Sequence, residues 1–192
     1  MNKKILAMAL AILAVAMLAT PLLGTVSACG HRNWGQATEK IPVKFGGPFI
    51  PSPPEVKTCG NVQIGRGGIL DYTAFAIWDI STTPRTFLVG GPGSEVTVTS
   101  LWTANYIVNT KTGKGVLHYD VVITIPSKGT FEGYVIEFGT FSIAGPAISL
   151  QDGFKYGVIR GTGDYEGWKL VVSIQVTGGV ATPENYLYKP AI

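Results

Sequence analysis

Histidine and cysteine are almost missing from this chain, with two of each in 192 residues. Only His31 and His118 are present, and no Cys-x-x-Cys or His-x-x-x-His spacing occurs. A transition-metal centre would lack its usual ligands, so neither a metal nor an organic cofactor is expected. Asn-x-Ser/Thr is absent, and N-glycosylation is therefore not signalled. There is no Gly-x-Ser-x-Gly, and the serines come with no histidine pattern, which leaves a nucleophilic triad unsupported. Gly65-Arg66-Gly67-Gly68 lacks the strand-to-helix setting and the Lys-Ser/Thr ending of a phosphate loop, and reads as a hairpin turn. From about Val62 to Lys189, apolar residues nowhere recur at the three-and-four spacing of a helix over a helical length.

Charge is sparse as well. The chain has 15 basic and 12 acidic side chains. Lys3 and Lys4 belong to a leader expected to be removed, which leaves 13 against 12. No basic cluster remains, and nucleic acid is not an expected partner.

What is present begins with Met1-Asn2-Lys3-Lys4 and an apolar run from Ile5 to Ala19, interrupted by Pro21 and Gly24. A basic head, a short apolar middle and the small-residue exit Val26-Ser27-Ala28 form a secretory signal over residues 1–28. The chain is therefore expected outside the cytoplasm. Membrane contact would come only through an uncleaved signal or through lipidation of Cys29, because Val26-Ser27-Ala28-Cys29 is similar to a bacterial lipobox. The other reading pairs Cys29 with Cys59, as an even cysteine count in an exported chain favours. Such a bridge would stabilise the fold on the order of 3 kcal/mol, whereas lipidation would leave Cys59 a free thiol.

Residues 29–60 are rich in proline and glycine. Pro42, Pro48, Pro51, Pro53 and Pro54 make Gly46 to Pro54 read as an extended arm, and Ile41 to Phe45 as an edge strand. From residue 61 to 192 the pattern is β. Leu117, Tyr119, Val121, Ile123 and Ile125 form one face, opposed by His118, Asp120 and Thr124. Trp168, Leu170, Val172, Ile174 and Val176 form another; Val96, Val98, Trp102, Ala104, Tyr106 and Val108 form a third. Breakers, Asp152-Gly153 among them, divide the stretch into about eight strands. One apolar and one wet face fit a single antiparallel sheet closed on itself as a β-barrel.

Two corner motifs punctuate the second half, Gly129-Thr130-Phe131-Glu132-Gly133 and Gly161-Thr162-Gly163-Asp164-Tyr165-Glu166-Gly167. Their glycines are turn chemistry. The longer corner is similar to the Gly-x-Gly-x-aromatic-Glu-Gly corner of allene oxide cyclases, and resembles the Gly-Gly-Thr-Gly-x-Phe corner of dirigent proteins. The paired corners with Tyr186-Leu187-Tyr188-Lys189-Pro190 also resemble a group of secreted prokaryotic proteins. The likeness implies an eight-stranded barrel with an apolar interior. It implies either a non-catalytic barrel that binds a small apolar molecule or serves as an extracellular interaction module, or an isomerase or cyclase. A structural envelope component is a further reading.

Candidate pocket residues are Trp102, Tyr106, Tyr156 and Arg160. Arg160 shares the alternation Phe154, Tyr156, Val158, Arg160; if that face lines the barrel, its guanidinium would hold a ligand oxygen. The aromatics would line the cavity or fill it. Glu132 and Glu166 hold matching corner positions, either polarising a ligand or bonding backbone amides at their own turns. His118 beside Asp120 is an acid–base pair or a solvated strand face.

Overall fold

The computed structural model describes residues 38–145 and 147–190. The expected leader, Cys29 and His31 lie outside the described residues. Thirteen strands occur, all in antiparallel pairings, with no α-helix among the described residues. They are β1 (Thr38–Gly46), β2 (Phe49–Ser52), β3 (Glu55–Cys59), β4 (Val62–Tyr72), β5 (Ala76–Asp79), β6 (Thr86–Gly90) and β7 (Thr99–Asn109). There follow β8 (Lys114–Ile125), β9 (Gly129–Ala144), β10 (Ala147–Gly161), β11 (Lys169–Thr177), β12 (Val180–Pro183) and β13 (Tyr186–Pro190). Between β10 and β11 lies one 3₁₀ turn, Gly163–Tyr165.

The sheet is a curled antiparallel one, ordered β2-β4-β7-β8-β9-β10-β11-β13-β1-β5-β6. Its thirteen strands correct the expectation of about eight. The physical reason lies mainly in the Pro/Gly-rich stretch: the strand expected at Ile41 to Phe45 is β1, and the expected arm and the residues after it supply β2 and β3. Proline is tolerated there because of where each one falls. Pro42 sits where β1 changes partner, from β13 (Thr38–Pro42) to β5 (Val43–Gly46). Pro51 pairs with Leu70 on β2, an outer strand of the sheet path, where a missing N–H costs no ladder bond on the open side. Asp152-Gly153 does not break the chain: β10 runs through it and absorbs it as a register shift between Leu150 and Asp152.

The alternating faces read from sequence are the inward ones on β7, β8 and β11. Trp102, Tyr106 and Val108, then Leu117, Val121 and Ile123, then Leu170, Val172 and Val176 are all buried. They form two apolar packs. One contains Phe75, Ile77, Trp102, Phe131, Ile159 and Leu187; the other contains Tyr106, Leu117, Phe141, Leu150 and Val176. Each fully buried side chain of this size is worth about 1.5–3 kcal/mol in apolar surface removed from water.

The two corners dock on each other. The Thr162 amide donates to the Thr130 carbonyl oxygen (2.8 Å), and the Asp164 amide to that of Lys128 (2.8 Å). The Thr130 amide donates to the Thr162 hydroxyl at 3.1 Å. Gly163 has φ +62°, and a Cβ there would press on the Lys128 carbonyl oxygen. A Cβ at Gly129, where φ is +143°, would strike the Thr162 carbonyl. Tyr165 then packs between Phe131 and Trp168, with ring centroids 5.1 and 5.2 Å away. The repeat seen in sequence is thus one contact viewed from both sides.

Candidate functional site

Tyr119 and Ile174 pack against both apolar packs, and a cavity of about 170 Å³ lies beside them. Its walls are Phe45, Leu70, Tyr72, Trp102, Tyr119, Val135, Val172 and Ile174, with Glu137 and Lys155 as its charged groups. Neighbouring strands in register bring those two together. Lys155 of β10 is the direct partner of Glu137 of β9, and Glu137 is also the partner of Leu117 of β8. Lys155 Nζ donates to Glu137 Oε1 at 2.6 Å. The Glu137 side chain is 4% exposed and that of Lys155 30%, so the carboxylate is covered while the ammonium retains access.

Tyr119 completes the polar group. Its hydroxyl interacts with the Glu137 carboxylate, and burial first, then the Glu137 charge, push its pKa well above the ordinary phenol value. Tyr119 therefore stays neutral beside the Glu137 charge. Burial also raises Tyr72. Trp102 stands edge-on to Tyr119 at 5.6 Å and donates Nε1–H to the Ser100 hydroxyl at 2.8 Å. Its polar edge is thereby occupied, and its rings are left as apolar wall.

Of the pocket residues expected from sequence, Trp102 is at this cavity. Tyr106 is buried in the adjoining pack, where its hydroxyl accepts from Gln63 Nε2 at 3.2 Å and its ring covers Gly65. It fills space rather than lining it. Tyr156 is 53% exposed and Arg160 is exposed too. The face Phe154, Tyr156, Val158, Arg160 is the outer one; Gly157 and Ile159 are the buried alternates, and Lys155 is the one that reaches the cavity. Glu132 and Glu166 are exposed at the corners. Glu132 accepts from the Thr130 hydroxyl at 2.8 Å rather than from an amide, and the Glu166 amide donates to the Gly163 carbonyl oxygen at 3.0 Å. Gly133 and Gly161 sit where a Cβ would hit the Val158 and Tyr165 carbonyls; Gly167 turns at φ +86°. His118 and Asp120 lie on the outer face, 3.8 Å apart, with the imidazole stacked on Tyr134. Cys59 is exposed at the end of β3, and its expected partner Cys29 is outside the described residues.

Glu137 and Lys155 were missed because apolar alternation was read for one face of β10 only. The available signal was parity: Glu137 falls in step with Phe131 and Val135, and Lys155 with Ile159. That outer face is itself apolar, with Tyr134, Phe138, Phe154 and Tyr156 about half exposed and the Phe138 and Phe154 rings 5.7 Å apart.

A larger depression of about 240 Å³ lies among Phe87 to Val89, the glycine-rich loop after β6, Ile125 and Tyr165, with Lys128 as its charged residue. It holds no acid–base pair, which makes the cavity beside Tyr119 the chemically equipped one. Among the described residues, no group of three or more His, Cys, Asp or Glu side chains is placed to hold a metal. No protein-family model, curated protein or solved structure matches this chain.

Proposed function

We propose that this chain is an extracytoplasmic, non-catalytic barrel that takes a small apolar molecule into its interior. The cavity of about 170 Å³ between two apolar packs carries the reading. It is similar in size to the engineered apolar cavity of about 150 Å³ that holds benzene. Closure of the sheet is part of the proposal, and the β1 pairings support it. β1 pairs with β13 through its first half and with β5 through its second, while β2 pairs with β4. Two residues join β1 to β2 and three join β4 to β5, so the ladder leaving β4 returns through β13 to the same bent strand. The signal-like residues 1–28 and the low charge support an extracytoplasmic place. The corner's likeness to allene oxide cyclases and dirigent proteins supports the apolar interior.

An isomerase or cyclase is the second reading, favoured by the neutral Tyr119, Glu137 and Lys155 beside the cavity. Its polar handle would be Lys155, since Arg160 is on the outer face. An interaction module is favoured instead by the outer apolar face of β9 and β10. Native mass spectrometry of protein purified from its own host tests the leading reading. A retained small molecule released on unfolding supports it. A mass equal to the bare chain, with no uptake of ring-sized apolar probes, overturns it.

A further inference from the structure

The Glu137–Lys155 pair stands in an apolar interior where charge costs stability unless it serves something else. Replacing such a pair by packed apolar side chains is often neutral or stabilising, so its presence points away from stability as its purpose. The protons are allotted unevenly. Lys155 spends one of its three N–H donors on Glu137 at 2.6 Å. Tyr119 lines the same cavity as a neutral phenol, and Trp102 gives its N–H to Ser100. Glu137 and Lys155 both line the cavity; the side chain of Glu137 is 4% exposed and engaged by Lys155, whereas that of Lys155 is 30% exposed. The site therefore offers a ligand a donor. Its charge is already balanced, one cation against one anion, and an incoming carboxylate would leave a buried negative charge uncompensated.

We infer that the ligand is a neutral, ring-sized molecule whose carbonyl oxygen accepts a hydrogen bond from Lys155. This rests on the interior-binding reading and narrows it to a chemical class: uncharged cyclic or aryl ketones and amides rather than hydrocarbons or acids.

Three probes of near-equal shape separate the possibilities: acetophenone, α-methylstyrene, which replaces the carbonyl by a methylene, and benzoate, which adds the charge. Each is titrated into the full mature protein and followed by ligand-detected NMR. A hydrogen bond from a charged donor predicts acetophenone binding about tenfold or more tighter than α-methylstyrene, with benzoate weaker than acetophenone. Lys155→Met alone strands Glu137 and risks unfolding, so the informative variant is Lys155→Met/Glu137→Leu. It is expected to keep α-methylstyrene binding within about threefold and to lose the preference for acetophenone. α-Methylstyrene binding without a carbonyl preference, benzoate binding tightest, or a preference that survives in the double variant overturns the inference while leaving interior binding intact. No uptake of any probe removes interior binding and this inference together.

Discussion

Exchanging Lys155 for methionine keeps the length of the side chain and removes its charge. Glu137 is then left 4% exposed with its cation gone. Breaking a buried pair costs about 3–5 kcal/mol, and because Lys155 is 30% exposed the lower end applies, about 3 kcal/mol. For a domain of this size, that lowers Tm by about 6–12 °C. Glu137→Leu alone strands the ammonium instead. It costs less, about 1–2 kcal/mol, since Lys155 retains access to water. The double variant restores an uncharged, packed interior and falls within about 1 kcal/mol of the parent. The coupling in a double-mutant cycle, read from urea denaturation, is therefore about 3–5 kcal/mol and favourable. If the double variant loses the sum of the two single losses, the groups do not act as a pair and the polar group described here is wrong.

Other outcomes follow from the same geometry. Gly163→Ala imposes a Cβ at φ +62° against the Lys128 carbonyl, whereas Gly178→Ala at φ +58° meets open space; the first should cost about 2–3 kcal/mol and the second about 1, and equal losses would mean the corners do not dock. Tyr119 and Tyr72 have pKa values raised by burial, so the folded state keeps protons that the unfolded chain releases. That contribution is complete below about pH 10 and is lost as pH rises further, so denaturant stability should fall on the alkaline side and fall less in Tyr119→Phe; a flat alkaline profile would contradict it. Arg160→Ala on the outer face should alter stability by no more than about 0.5 kcal/mol and leave probe binding unchanged, and a loss of binding would return Arg160 to the interior.

The fold was legible wherever one face of a strand is apolar and the other polar. β8 is the plain case: Leu117, Val121 and Ile123 are buried, and Asp120 and Thr124 are exposed. β10 was not legible in that way. Its outer residues Phe154 and Tyr156 are greasier than the inward Lys155 and Gly157, and hydrophobicity alone chose the wrong side. Prolines hid β2 and the full extent of β1, since nothing local reveals that Pro42 falls at a change of partner or Pro51 on an outer strand. The corners were recognisable as turns, but that Gly129 and Gly163 pack against each other's loops is a tertiary fact. Glu137 and Lys155 are 18 positions apart, and only the β9–β10 register makes them neighbours.

Xenon tests the interior most directly. Crystals of the mature protein, pressurised with the gas, should show a xenon peak bounded by Trp102, Tyr119 and Val172, the apolar part of the wall of a cavity of about 170 Å³. An interior closed by repacked side chains, with no xenon at that place, would contradict the account.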